Sequence, residues 1–115
     1  MARRTRSPRE LLTPAALHML MALARENLHG YGIKQTVEAR TAGRLRLGPG
    51  TLYEGIHRME AAGWIRETDA PGDPSKRKVY RLTASGRRVM EEELERLAEV
   101  VRFARAEELL PEEAS

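Results

Sequence analysis

Residues 48–68 have the sequence GPGTLYEGIHRMEAAGWIRET, which contains most of the information about the fold of this chain. Pro49 suits the first position of a helix, because its missing N–H would have no partner there. Apolar residues follow at i, i+4 and i+7, a spacing that places them on one helix face: Leu52, Ile56 and Met59. Gly63 ends this helix, and the strand-like residues 64–68 follow directly. The stretch therefore predicts a helix with one buried stripe that leads into a β-strand.

A second strand-like segment, residues 78–82, lies downstream of the first. Residues 69–75 separate the two segments and have the sequence DAPGDPS, which is dense in residues that form turns. The arrangement is typical of a β-hairpin with a long tip.

Two more helices are predicted upstream of residue 48. Thr13 and Pro14 suit the N-cap and first position of a helix that ends at His29-Gly30. Its apolar residues at helical spacing are Leu17, Leu20, Met21, Ala24 and Leu28. A shorter helix is predicted over about residues 31–41, with Ile33 and Val37 facing inward. Residues 44–47 alternate arginine with leucine, which predicts a short strand-like fragment.

The last helix is the longest one predicted. Thr83 suits its N-cap, and the helix can continue to about Leu110, before Pro111 stops it. At 1.5 Å per residue it would be roughly 40 Å long. Its apolar residues step by four and three, the spacing of a heptad repeat: Met90, Leu94, Leu97, Val101 and Ala104. We expect a second copy of the chain to cover this stripe. The alternative, that the helix folds back on its own domain, stays open.

Length and composition restrict the class of protein. With 115 residues, the chain has room for one small domain, which excludes a barrel enzyme or a two-domain dinucleotide enzyme. The absence of cysteine excludes disulfides and cysteine-ligated zinc. No apolar run approaches the roughly 18 residues of a membrane span, and only Leu11 and Leu12 follow the basic N-terminus, so neither a membrane contact nor a signal peptide is expected. We expect a cytoplasmic protein.

The charge is divided unevenly along the chain. Residues 1–82 carry 15 Lys or Arg and 8 Asp or Glu, a net +7, whereas residues 83–115 carry 5 and 9, a net −4. The two parts give the overall +3. A basic front is typical of a surface that binds a polyanion, although a random scatter of surface charge is the open alternative.

The order of three helices followed by a hairpin is that of a winged helix-turn-helix. The fold class is mainly α with a small β-hairpin, extended by a long C-terminal dimerisation helix. The boundaries predicted are a basic arm over 1–12, a DNA-binding domain over 13–82, the dimerisation helix over 83–110 and a disordered tail over 111–115.

In such folds the third helix enters the major groove of double-stranded DNA, where base edges are exposed. The candidate DNA-binding residues of this helix lie on its outward face or at its N-terminal end: Gly50, Thr51, Tyr53, Glu54, His57 and Arg58. The first turn offers unbonded N–H groups to a phosphate. Arg58 and His57 are candidates for a phosphate or a guanine edge. Glu54 and Arg58 are also four residues apart, so a solvated ion pair is the alternative.

Basic residues at the hairpin tip and at the N-terminus extend the predicted DNA contact. Three consecutive cations follow the tip directly: Lys76, Arg77 and Lys78. They are predicted to bind backbone phosphates, and a merely solvated surface is the alternative. The arm carries four arginines: Arg3, Arg4, Arg6 and Arg9. They can enter a minor groove, as some basic arms do, or they can be part of a tail that contacts nothing.

The aromatic residues are expected mainly inside the domain. Tyr31, Trp64 and Tyr80 are predicted to be buried or half-buried. Tyr53 flanks the buried stripe, where its ring can pack on the neighbouring helix while its hydroxyl meets a phosphate.

Four segments together resemble the PadR-type transcriptional regulators: GYGI at 30–33, PGTLY at 49–53, MEAAGWI at 59–65 and RKVYRLTASG at 77–86. The resemblance covers about residues 11–105, and the single C-terminal helix looks like that of the family's shorter size class. It implies a homodimeric bacterial regulator, usually a repressor, that binds a promoter inverted repeat with its recognition helices roughly 34 Å apart. It also implies that the last helix forms the dimer.

The resemblance further implies a small-molecule effector in some members, stacked between subunits on tryptophans of the last helix. This chain departs from that pattern, because its one tryptophan is Trp64 and the one aromatic residue of its last helix is Phe103. We therefore expect an effector only as an open possibility and assign it no pocket from the sequence.

Two other classes of function compete with DNA-binding regulation. A winged helix can be a protein–protein interaction module without specific DNA binding, although such a module does not need a basic wing. An enzyme is not expected, because His18, His29 and His57 form no short metal-ligand pair and no phosphate-binding loop is present. No catalytic residue, metal or cofactor is predicted.

Overall fold

The computed structural model describes residues 12–69, 72 and 77–112. Its helices and strands are, in chain order, α1 (Pro14–Arg25), β1 (Leu28–His29), α2 (Gly30–Arg40), α3 (Pro49–Ala61), β2 (Ile65–Thr68), β3 (Val79–Leu82) and α4 (Ala84–Ala106). This confirms the predicted fold class: a mainly helical chain with a small sheet, whose last helix is the longest.

The predicted helix starts have the expected caps. The Thr13 hydroxyl accepts a hydrogen bond from the Ala16 N–H at 3.0 Å, and Pro14 occupies the first position of α1. The Thr83 hydroxyl accepts from the Gly86 N–H at 3.0 Å at the start of α4. In both places a side chain satisfies one of the N–H groups that a helix leaves unbonded.

The sheet has three strands rather than the two of a hairpin, in the order β1-β3-β2 and antiparallel throughout. The prediction that the first helix continues to Leu28 is wrong, because α1 ends at Arg25. Leu28 and His29 instead lie opposite Tyr80 and Val79 and pair with the free edge of β3.

The strand-like fragment predicted over residues 44–47 is also wrong. Side chains from the end of α2 bind the N–H groups that a strand would use. The Glu38 carboxylate accepts from the Leu47 N–H at 3.1 Å, and the Thr41 hydroxyl accepts from the Leu45 N–H at 3.1 Å. Leu47 is fully buried, so the loop is fastened to the core immediately before α3 begins.

The hydrophobic core lies where α1 packs against α2, α3 and β2. The largest fully buried side chains come from α1, α2, the loop before α3, α3 and β2: Met19, Leu20, Ile33, Val37, Leu47, Ile56, Met59 and Ile65. Because three helices and a strand contribute to one cluster, the orientation of α3 is set by the whole domain.

The start of α4 packs directly against the start of β2. The single hydroxyl proton of Thr83 is shared between the Gly63 carbonyl at 2.6 Å and the Trp64 carbonyl at 3.0 Å, and the Thr83 N–H donates to the Trp64 carbonyl at 2.9 Å. A Cβ at Gly86 would overlap the Trp64 carbonyl oxygen and lie 2.9 Å from Leu82 Cδ1. Glycine at this position is therefore what permits the close approach.

α4 ends earlier at its C-terminus than the sequence predicts. The helix ends at Ala106 rather than near Leu110, because Glu108 adopts a left-handed backbone conformation with φ 60°. The Leu109 N–H donates to the Ala104 carbonyl at 2.8 Å, and the Glu108 N–H donates to Arg105 at 3.1 Å. These bonds close the helix end in the manner of a Schellman motif.

Candidate nucleic-acid interface

The buried and exposed faces of α3 are divided as its sequence predicts. Leu52, Ile56 and Met59 are buried, and each is at most 3% exposed. The opposite face is exposed and carries four different polar groups, from Thr51, Glu54, His57 and Arg58. The helix therefore presents hydroxyl, carboxylate, imidazole and guanidinium groups to the outside.

The N-terminal end of α3 is open. Its N-cap is Gly48, whose lack of a side chain leaves the first turn without a side-chain cap, and Pro49 contributes no N–H. A Cβ added at Gly50 would meet nothing within 4 Å, so packing within the chain does not require glycine there. The N–H groups of this turn and the positive end of the helix dipole are thus accessible to an anion.

Glu54 and Arg58 form the ion pair that the sequence left as an alternative. Arg58 Nη2 lies 2.7 Å from Glu54 Oε1, with the two side chains 69% and 63% exposed. An exposed pair at this spacing contributes only about 0.3–0.5 kcal/mol. Arg58 can therefore exchange the carboxylate for another acceptor at small cost.

Tyr53 packs against the start of α2, as its sequence position allows. A Cβ at Gly30 would lie 3.4 Å from Tyr53 Cε1, an ordinary van der Waals contact, so the ring lies close against this first turn of α2. Trp64 and Tyr80 are buried as predicted, and burial raises the pKa of the Tyr80 hydroxyl. The prediction for Tyr31 is wrong: this side chain is 56% exposed, and Lys34 Nζ lies 5.9 Å from its ring centre.

The structure describes two of the three predicted wing cations. Arg77 and Lys78 are exposed directly before β3, whereas Lys76 lies outside the described residues, as do the arginines of the N-terminal arm. Lys78 Nζ is 3.2 Å from Glu67 Oε1 on β2. This hydrogen bond raises the pKa of Lys78 above its ordinary value, so the ammonium stays charged at neutral pH.

Exposed basic residues before α3 were not among the predicted site residues. Arg44 and Arg46 lie on the loop that Glu38 and Thr41 hold in place. Because the sequence pattern placed Arg44 and Arg46 in a strand-like fragment, they were not considered as DNA-binding residues. The signal was nevertheless present, because two arginines directly precede the Gly-Pro-Gly turn that opens α3.

The stripe of α4 is divided between the core and the surface. Met90 is buried in the core of its own chain, so it leaves the set predicted to contact a second chain, and Leu94 is partly packed on the same core. Leu97 is exposed, and Val101 and Ala104 are partly exposed. Val100 and Phe103, which the heptad pattern omits, are 49% and 59% exposed.

Comparison with known proteins decides the family. The profile of the Transcriptional regulator PadR-like family matches residues 19–92, which run from α1 into α4. The chain belongs to the PadR-like family. Transcriptional regulator Rv3488 of Mycobacterium tuberculosis is 35% identical over 86 residues, which are 75% of this chain and 78% of that protein.

Solved PadR-like and related structures share the fold. A transcriptional regulator from Clostridium thermocellum superposes with a TM-score of 0.71 at 20% identity, covering 89% of this chain and 97% of the other. Bacillus subtilis PadR, solved in complex with operator DNA, gives a TM-score of 0.60 at 21% identity over 69% of this chain and 45% of the other.

Two features are absent from the part of the molecule that the structure describes, a membrane-spanning helix and a metal-binding cluster. Over residues 12–69 and 77–112, no helix is both long enough and apolar enough to cross a membrane. Within the same ranges, no group of three or more His, Cys, Asp or Glu side chains is placed to hold a metal ion.

Proposed function

We propose that this PadR-like regulator binds double-stranded DNA sequence-specifically as a homodimer and represses transcription from promoters that carry an inverted repeat. The observation that carries the proposal is the exposed polar face of α3 with its open N-terminal turn. The operator complex of Bacillus subtilis PadR, which shares the fold, supports it.

The proposed binding mode assigns separate tasks to α3 and the wing. The exposed face of α3 lies in the major groove, where Arg58 donates to a guanine edge or phosphate and Glu54 can accept from a cytosine amino group. The first turn of α3 binds a phosphate through its N–H groups. Arg77 and Lys78 contact the adjacent backbone, a sequence-independent contribution.

The proposed dimer forms through α4. Leu97, Val100, Val101 and Phe103 expose apolar surface on one 23-residue helix that continues past the domain core. Heptad spacing lets two such helices pack along their length. A two-fold axis through this pairing would present two α3 helices to successive turns of the duplex, which is why the operator is expected to be an inverted repeat.

Fluorescence anisotropy with a duplex selected from a random pool tests the DNA proposal. We expect the logarithm of affinity to fall with the logarithm of salt concentration with a slope of several units. Lys78→Ala should reduce the slope by about 1, and Arg58→Ala should weaken binding about 10- to 100-fold while relaxing preference at one base pair.

Arg102→Ala is the matched control, since it removes an equal charge from an exposed position of α4 remote from α3. Specific binding that is absent at low salt would contradict the proposal. That result would favour the protein–protein interaction module, for which the pairing of Arg58 and Lys78 with carboxylates of the same chain is the supporting observation.

A further inference from the structure

A groove of about 530 Å³, open to solvent, lies between the start of α1 and the end of α2. Pro14 and His18 line it from α1, whereas Arg40 and Arg44 line it from the end of α2 and the turn that follows. Both arginines are exposed. The fold therefore brings two arginines and a histidine, which are separated in the sequence, onto one concave surface.

The positive charge of this groove has no carboxylate to balance it. Residues 40–46 contain three arginines and no Asp or Glu. The nearest carboxylate in the sequence, that of Glu38, is already bound by Lys34 Nζ at 3.0 Å. Within the part of the chain that the structure describes, neither Arg40 nor Arg44 forms an ion pair. Both guanidinium groups are thus available to an anion.

The backbone that carries Arg44 is held in a defined turn. Ala42 and Gly43 have positive φ angles of 53° and 77°, so the chain reverses direction directly after α2. The Thr41 hydroxyl accepts from the Leu45 N–H at 3.1 Å and closes this turn. Because the turn is formed before any ligand arrives, little backbone ordering has to accompany binding.

His18 adds a hydrogen-bonding group that its own chain leaves unused. Its Nδ1 is buried and has no hydrogen-bond partner among the described residues. In the neutral tautomer that carries its proton on Nε2, the enclosed Nδ1 is an unbonded acceptor and Nε2 is the nitrogen that can donate to a ligand.

We propose that this groove binds a phosphate group, with Arg40 and Arg44 supplying charge and His18 Nε2 supplying a further donor. The planar fork of a guanidinium matches the spacing of phosphate oxygens, and hydrogen bonds between charged groups are stronger than neutral ones. The groove volume lies in the range of about 300–1,000 Å³ that is typical of small-molecule sites, so there is also room for the organic part of a phosphate ester.

The place of the groove in the fold defines two sources for this phosphate. Pro14 lines the groove, and its neighbours Thr13 and Ala15 border the same surface as Thr51 in the first turn of α3. The start of α1 therefore separates the groove from the open end of α3. The phosphate belongs either to the backbone of a duplex bound at α3, which rests on the proposed function, or to a phosphorylated small molecule.

The three histidines report binding in the intact chain. His18 lines the groove, whereas His29 lies in β1 and His57 in α3. In an NMR titration of histidine-¹³C protein with inorganic pyrophosphate, at constant pH and ionic strength, the His18 ring should shift saturably and the His29 ring should not. A His18 ring that shows no saturable shift would overturn the proposal.

Charge variants locate the site. Arg44→Ala should weaken pyrophosphate binding about 10-fold or more, because a hydrogen bond between charged groups is lost. Arg44→Lys keeps the charge without the planar fork and should weaken binding less. Arg25→Ala is the matched control, since it removes an equal charge from the exposed end of α1, outside the groove. Equal weakening by Arg25→Ala and Arg44→Ala would contradict a site in the groove.

Anisotropy with the selected duplex identifies the source of the phosphate. If the DNA backbone enters the groove, Arg40→Ala combined with Arg44→Ala should lower the salt slope by about 2. An unchanged slope, together with pyrophosphate binding at His18, would assign the groove to a phosphorylated small molecule. A wild type that binds pyrophosphate at His18 but no duplex would contradict the proposed function and leave the phosphate site supported.

Discussion

Replacing Gly86 by alanine tests whether the junction between α4 and the winged domain depends on direct backbone contact. The new Cβ would overlap the Trp64 carbonyl oxygen and lie 2.9 Å from both the Trp64 carbonyl carbon and Leu82 Cδ1. Carbon atoms at optimal separation are 3.5–4.0 Å apart, so α4 must move by at least about 0.6 Å. Thr83 resists this movement, because it holds the same carbonyl with two hydrogen bonds.

Three contributions determine the change in the free energy of unfolding, two of them destabilising and one stabilising. Overpacking at a closely packed site costs about 1–3 kcal/mol, and each of the two loosened hydrogen bonds about 1 kcal/mol. Alanine offsets about 1 kcal/mol through its higher helix propensity. We expect a net loss of about 3 kcal/mol in the free energy of unfolding, which lowers the Tm of a domain of this size by about 12 °C.

Thermal unfolding followed by circular dichroism at 222 nm measures this difference. Gly50→Ala is the matched control, because it introduces the same methyl group into a helix where nothing lies within 4 Å. Its Tm should stay at or slightly above that of the wild type. If Gly86→Ala unfolds within about 2 °C of the wild type, the close approach of α4 to Trp64 does not require glycine at residue 86.

Three further predictions concern pairing, pH and the α2–α3 contact. Leu97→Glu combined with Val101→Glu should convert the proposed dimer to monomer in light scattering, while Glu99→Lys on the outer face of α4 should not. A wild type that is monomeric at micromolar concentration would refute the pairing. The pKa of Glu38 is lowered by hydrogen bonds from Lys34 and from the Leu47 N–H, so its contribution to stability is present above its ordinary pKa and is lost as pH falls through the lowered one. Glu38→Gln should therefore flatten the fall of Tm as the pH drops below the ordinary glutamate pKa of 4.5, and an unchanged slope would contradict this. Tyr53→Phe should leave Tm unchanged but weaken DNA binding if the hydroxyl meets a phosphate, and equal affinity would restrict Tyr53 to packing.

The elements that the sequence predicted correctly are those determined by local patterns. α3 was recoverable because Pro49, the buried stripe and Gly63 all specify the same helix. β2 and β3 were recoverable within one residue, because a turn-rich segment separates two short apolar stretches.

The errors arose where distant groups override local pattern. Leu28 continues the helical spacing of α1. Its backbone nevertheless pairs with the open edge of β3, about fifty residues away in the sequence. Leu45 and Leu47 alternate like a strand, but Thr41 and Glu38 bind their N–H groups. The spacing of apolar residues carries no information about the edge of β3 or about the side chains of Thr41 and Glu38.

The candidate site divides in the same way. Helical spacing was enough to separate the exposed residues of α3 from its buried ones. It could not show that Arg40 and Arg44 line a groove, because Pro14 and His18 of α1 supply the opposite wall. It also could not reveal Val100 and Phe103 as exposed, since they lie beside the heptad stripe and not on it.

The carboxylates beside Arg58 and Lys78 have a consequence for how such a protein would search a genome. Glu54 and Glu67 neutralise part of the positive field that any phosphate backbone would feel. In the proposed binding mode, residence on arbitrary sequence would be shortened, which matters because roughly 10⁶ or more competing sites surround an operator. At the proposed operator, base edges would satisfy both Glu54 and Arg58 at once. Weaker binding to other sequences would then leave more of the protein available to its operator.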